Sequence, residues 1–205
     1  SGEHRHEDDP QLSPFHVLSG ETFKYVGVTQ GTTYAIKTDG TLWSWGSDGF
    51  GARGSDDIPN NAPYAPMQVG TDNTWKMVRG SSGNYQACAI KEDSSLWCWG
   101  DNRYGMVGSG TMSSQISTPE QVGPDIQWLD VQLSVFSTCG VSTNQDLYCW
   151  GWNSAIESTL DDDGLNTGIV TSMPTRALEG LRIRSLSMGG GNGCALTTDG
   201  DLHCW

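Results

Sequence analysis

The amino-acid sequence predicts an all-β fold, a β-propeller of four-stranded antiparallel blades with four repeats in this chain of 205 residues. Three recurrences carry that prediction. The stretch Cys88-Ala-Ile-Lys-Glu-Asp-Ser-Ser-Leu-Trp-Cys98-Trp-Gly100 returns as Tyr34 to Gly46, Cys139 to Gly151 and Cys194 to Trp205. Its second tryptophan falls at positions 45, 99, 150 and 205, which are 54, 51 and 55 residues apart. Ahead of each copy lies a segment headed by a large apolar residue, and ahead of that a proline: Pro14, Pro66, Pro119 and Pro174. A period of about fifty residues belongs to arrays in which each unit needs its neighbours to bury its faces.

Taken in order, residues 1–12 are polar, lack apolar periodicity and read as a flexible tail, with 13–205 as the propeller. The repeat units span about 13–64, 65–117, 118–172 and 173–205. Proline has no N–H to donate, so each of the four marks the first residue of a short outer strand. The segments Phe23 to Val26, Trp75 to Val78, Trp128 to Val131 and Ile183 to Leu186 are apolar and β-prone, and read as inner strands. Glycine-rich turns then lead into a hairpin whose three-residue loops, Thr38-Asp39-Gly40 and Thr198-Asp199-Gly200, put glycine in the left-handed position. Counting outward from the equivalent loop Glu92-Asp93-Ser94 sets Ile90 opposite Leu96, Ala89 opposite Trp97 and Cys88 opposite Cys98. The last hairpin lacks only an outer strand, which residues 13–18 are placed to supply, closing a four-bladed ring.

The six cysteines sit at 88, 98, 139, 149, 194 and 204, three pairs of one separation, and the first repeat loses both partners together, as Tyr34 and Ser44. Loss in pairs is what a bond between the two produces. Two ligands per unit, with His203 the nearest histidine, make no closed four-ligand metal site. We therefore expect disulfides Cys88–Cys98, Cys139–Cys149 and Cys194–Cys204, no metal, and an oxidising compartment. A formal charge of −13 opposes nucleic acid as a partner, because such ligands demand a basic field. No apolar run approaches the roughly 18–20 residues of a membrane span, so membrane insertion is not expected.

Trp99-Gly-Asp-Asn102-Arg-Tyr104-Gly-Met-Val-Gly108-Ser-Gly-Thr111 resembles the repeat of the regulator of chromosome condensation family, whose pattern is Trp-Gly-x-Asn-x-x-Gly-Gln-Leu-Gly-x-Gly-Thr. Ala35-Ile36, Ala89-Ile90 and Ala195-Leu196 match its Ala-Leu strand, and Asp39-Gly40 and Asp199-Gly200 its turn. The paired-cysteine form is similar to secreted bacterial members and to the extracellular repeats of crinkly-type plant receptor kinases. The resemblance implies protein recognition through loops on one face. It also implies seven blades, so the four repeats are either a complete ring or part of a seven-bladed propeller. The third repeat, Gly151-Trp152-Asn153-Ser-Ala-Ile156, loses most of the family's glycines and needs a differently built loop.

Function is expected in the segments after each hairpin, where the repeats diverge. Phe50, Arg53, Arg103, Tyr104 and Trp152 are the candidate contact residues, since aromatic side chains and arginine on loops are the usual anchors. The first two tryptophan pairs read as packing between blades, and Asp48, Asn102 and Asn153 as turn-stabilising. Leu160-Asp161-Asp162-Asp163-Gly164 lacks the closing bidentate Glu of a calcium loop and reads as a solvated acidic loop. His4, His6, His16 and His203 form no nucleophile–base–acid spacing, so neither an enzyme nor a cofactor is expected. The sequence thus points to a secreted or cell-surface propeller that binds a protein. The alternatives are a lectin, with a glycan as partner, and a segment of a receptor ectodomain or extracellular filament.

Overall fold

The computed structural model describes residues 17–58, 64–153 and 169–205. The histidines of residues 1–16, most of the seam strand expected at 13–18, and the acidic Asp161–Asp163 loop lie outside the described residues. Blade 1 comprises β1 (Phe23–Val28), β2 (Thr32–Lys37), β3 (Leu42–Gly46) and β4 (Met67–Gln68), hydrogen-bonded in that order. Blade 2 repeats the pattern with β5 (Trp75–Gly80), β6 (Gln86–Lys91), β7 (Leu96–Asp101) and β8 (Gln115–Val122). Blade 3 has β9 (Trp128–Leu133), β10 (Ser137–Ser142), β11 (Leu147–Asn153) and β12 (Ile169–Ala177), and blade 4 has β13 (Ile183–Met188), β14 (Gly193–Thr197) and β15 (Leu202–Cys204). Each of the first three blades takes its outer strand from the following sequence unit. Blade and repeat are therefore offset by one strand.

The hairpin register is the one counted from the sequence. Ile90 faces Leu96, Ala89 faces Trp97 and Cys88 faces Cys98, and the same opposition brings Cys139 to Cys149 and Cys194 to Cys204. All three pairs form disulfides. Where blade 1 has Tyr34 opposite Ser44, two hydrogen bonds reach across to the loop that follows: the Tyr34 hydroxyl donates to the Ala52 carbonyl and Ser44 Oγ to the Arg53 carbonyl at 2.8 Å. Burial pushes the Tyr34 phenol well above its ordinary pKa, so it stays a donor.

The prolines behave less uniformly than their spacing suggested. Pro66 directly precedes β4, but Pro119 and Pro174 sit inside β8 and β12. There the register jumps, from Cys98↔Glu120 to Gly100↔Ile116 and from Cys149↔Thr175 to Gly151↔Thr171. An irregular stretch on an outermost strand leaves a residue unpaired, which is where a residue without an N–H is tolerated. The unit boundaries at 118 and 173 consequently fall within strands.

No blade has a core of its own. One apolar cluster joins Tyr34, Ile36 and Leu42 of blade 1 to Trp75, Val78, Ala89 and Trp99 of blade 2. A second joins Met77, Ile90, Leu96 and the Cys88–Cys98 pair to Trp128, Val131 and Trp150 of blade 3. A third joins Val141, Leu147 and the Cys139–Cys149 pair to Ile183, Leu186 and Ala195 of blade 4. Trp99 and Trp150 are fully buried in these seams, as expected of packing residues.

At the hairpin tips, Asp39 accepts the Thr41 amide and hydroxyl at 2.9 and 2.7 Å, and Asp93 accepts the Ser95 amide and hydroxyl at 3.0 and 2.6 Å. The two hydroxyls in turn accept the Trp43 and Trp97 indoles at 2.9 Å. These donors hold both carboxylates below the usual range. Because the folded pKa is depressed, the stabilisation is complete above the unfolded pKa and is lost as pH falls through the folded one. For Asp39→Asn/Asp93→Asn we expect a urea midpoint below wild type at neutral pH, with the two proteins converging as pH drops from about 5 towards 2.

Glycine is required where each hairpin gives way to its loop. Gly100 has φ +101°, and a Cβ there would lie 2.1 Å from the Tyr85 carbonyl oxygen. Gly46 and Gly151 repeat the arrangement against Gly31 and Phe136. Gly100→Ala should lower unfolding free energy by more than about 2 kcal/mol, read from urea titrations, since the clash adds to the backbone strain.

Candidate recognition surface

The loops after the hairpins and the turns before them meet at one end of the sheet, because Gly46 pairs with Thr32, Gly100 with Gln86 and Gly151 with Ser137. The candidate contact residues stand on this rim. Each loop is fixed from within. Asp48 Oδ1 accepts the Arg53 amide at 2.9 Å, and Asn102 Oδ1 accepts the Val107 amide at 3.0 Å while its Nδ2 donates to the Thr111 carbonyl at 3.2 Å. Asp48 and Asn102 are therefore turn-builders, as expected. The loops are also fixed by the next blade. The Trp99 indole donates to the Ala52 carbonyl at 2.8 Å, and the Trp150 indole to the Met106 carbonyl at 2.7 Å.

That scaffold divides the five candidates. Arg53 is fully buried, with Nη2 donating to the Ala65 carbonyl at 2.6 Å, so it closes its own loop and is not a contact residue. It occupies the place of Val107, which is equally buried, in a slot that faces inward in both repeats. Arg103 does reach solvent. Its guanidinium clasps Asp101, with Nε 3.0 Å from Oδ1 and Nη2 2.6 Å from Oδ2, and lies over the Phe50 ring 4.5 Å from its centroid. Asp101 is fully buried, and its hydrogen bonds raise the Arg103 pKa further and keep the cation in place.

Tyr104 and Trp152 come together. Their rings stack with centroids 5.5 Å apart and planes 28° apart. Phe136 meets both edge-on, at 5.6 and 5.4 Å. Trp152 stands on the end of β11 rather than in a loop, with its backbone amide bonded to the Phe136 carbonyl at 2.8 Å. Phe136 remains 40% exposed and Trp152 37%. On the other side of Arg103, Phe50 packs at 5.9 Å against Tyr85. Met112, Val170 and Met173 extend the apolar area, all three well exposed.

Sequence reasoning missed Phe136 and Tyr85 because both lie in the turns before the hairpins, which were assigned to glycine. A signal was present: Ser134-Val135-Phe136 places two large apolar residues where blade 4 has Gly189-Gly190-Gly191. The assembled surface offers flat aromatic faces, polarisable methionines and one anchored cation. Such a set suits burial against an apolar or acidic partner surface. Among the described residues no group of three or more His, Cys, Asp or Glu is placed to hold a metal ion.

The profile of the family described as Regulator of chromosome condensation (RCC1) repeat matches residues 78–105 and 183–205. The chain is 30% identical over 206 residues to the mitochondrial RCC1 domain-containing protein RUG3 of Arabidopsis thaliana, covering 96% of this chain and 44% of that protein. It is 28% identical over 210 residues to the human E3 ubiquitin-protein ligase HERC2, covering 98% of this chain and 4% of the ligase. Among solved structures, yeast RCC1 (Prp20) with Kap60 bound superposes at a TM-score of 0.75 and 16% identity, over 93% of this chain and 45% of that one. The chain thus spans less than half the length of these relatives.

Loop geometry should fail before the fold does. Asn102→Ala orphans the buried Val107 amide, so we expect a loss of about 1–3 kcal/mol in urea unfolding, with limited proteolysis cutting first between Arg103 and Thr111.

Proposed function

We propose that this chain, which belongs to the regulator of chromosome condensation repeat family, is a secreted or cell-surface propeller that recognises a protein through the rim carrying Phe50, Arg103, Tyr104, Phe136 and Trp152. RCC1-like propellers are in general protein-interaction modules, and the yeast relative is seen with Kap60 bound. The observation that carries the reading is the half-exposed group of Tyr104, Phe136 and Trp152, three rings held in mutual contact by blades 2 and 3. Rings already ordered in the free protein lose little freedom on binding, so their burial returns most of its hydrophobic gain.

The extracellular setting is supported by the three opposed cysteine pairs, which suit an oxidising compartment. The net charge of −13 disfavours a nucleic acid partner. A lectin with one pocket per blade needs the same aromatic set on every loop, whereas this group is assembled once. The ligase activity in the name of HERC2 belongs to a protein of which this chain matches 4%, and it is not carried over.

The test is affinity capture from an extract of the source organism, with wild type and Tyr104→Ala/Phe136→Ala/Trp152→Ala side by side, together with a glycan array. One or more proteins should be retained by wild type and at least tenfold less by the variant, at an unchanged thermal midpoint, given that aromatic hot spots cost about 2 kcal/mol each. Retention equal in the two, or sugar binding that the triple substitution abolishes, overturns the proposal.

A further inference from the structure

The two ends of the blade series expose faces that its interior buries. On the inner strands Val78 and Val131 are fully buried and Leu186 is 7% exposed, yet Val26 at the same place in blade 1 is 65% exposed and its neighbour Val28 is 55% exposed. Phe23, Tyr25, Val26, Ala35 and Trp45 line an open cleft of about 550 Å³ on that face. At the other end the hairpin leucines Leu42, Leu96 and Leu147 are buried, whereas Leu202 of blade 4 is 66% exposed. Cys98 and Cys149 are buried, whereas Cys204 is exposed.

These faces are the two halves of one interface. The blade 1 face corresponds to the Trp75, Val78, Ala89 and Trp99 surface of blade 2, which packs on Tyr34, Ile36 and Leu42 of blade 1. The blade 4 face corresponds to that leucine-bearing surface. The chain uses this pairing three times internally, between blades 1 and 2, 2 and 3, and 3 and 4. A single chain closing on itself would bury Val26 against Leu202, and both stand open.

We infer that two copies of this chain join head to tail, blade 4 of each seated on blade 1 of the other, to close one eight-bladed ring. The occupant of each open face is thus the opposite open face of a second copy, in continuation of the seam already built between blades. A heterologous contact gives either a closed ring or an endless fibre. Propellers close at about four to eight blades. Two sets of four reach that limit and three exceed it, so the ring stops at two copies. The inference rests on the seams and not on the aromatic rim, so either proposal survives failure of the other.

Light scattering on the eluted 205-residue protein at micromolar concentration should give twice the monomer mass of 22.1 kDa. Val26→Asp/Val28→Asp and Leu202→Asp alter side chains that are exposed in the single chain, so each variant should fold as wild type by circular dichroism and run as a monomer. Mixing the two variants should restore a dimer, because one of the two seams in the mixed ring is then wild type. A wild-type monomer, including one closed on itself by the strand of residues 13–18, overturns the inference. So does a ladder of higher species. A dimer disrupted by one face's substitution and indifferent to the other's would show like-to-like pairing and also refute it.

Discussion

Everything in this structure depends on one constraint: each sheet is apolar on both faces and so becomes stable only between neighbours. The three core clusters each straddle two blades. The tryptophan that closes each hairpin makes the dependence directional. Its ring fills the seam and its N–H reaches back to a carbonyl in the loop of the preceding blade, Ala52 for Trp99 and Met106 for Trp150. The Met106 carbonyl also accepts from Gln86 of its own blade and Thr138 of the next. Loop and seam are therefore one unit. A loop keeps its shape only while the following blade is docked, and the rim that we assign to recognition is held by the same bonds that hold the stack.

The tolerance of the repeat follows from where those bonds lie. They use backbone carbonyls, so the side chain of the residue that offers one is free to change. Ser47, Asp101 and Trp152 occupy one repeat position, directly after the Trp-Gly of each hairpin. In blade 2 that position holds a buried carboxylate gripped by Arg103, and in blade 3 a half-exposed indole stacked on Tyr104. Backbone register is conserved across the blades while chemistry is not. A surface unlike that of any other blade pair has arisen between blades 2 and 3 at no cost to the scaffold.

Much of this could be read from residues alone, because period and register are local properties. The fifty-residue recurrence, the opposition of Cys88 to Cys98 and the loop-building role of Asn102 needed only spacing and side-chain inventory. What escaped depended on which way a side chain points. Arg53 looked like a loop arginine, yet its slot is the inward one filled elsewhere by Val107, a comparison available between repeats. Phe136 escaped because the turn was assigned by analogy with glycine-rich siblings. Pro119 and Pro174 were read as strand starts because spacing carries no information about an irregular stretch that lets an outer strand run on past its proline.

The substitution of Tyr34 and Ser44 for a cysteine pair has a consequence for how the molecule would come apart under reducing conditions. Its first hairpin is fastened by oxygen chemistry and is indifferent to thiols. The next two bonds lie in closed seams, out of reach of a small reductant until the blades part. In the single chain the Cys194–Cys204 bond is the accessible one, through Cys204. Reduction would then proceed in order from the last hairpin inward, and a mild reducing pulse would loosen one end while the hairpins that carry the aromatic rim stay locked.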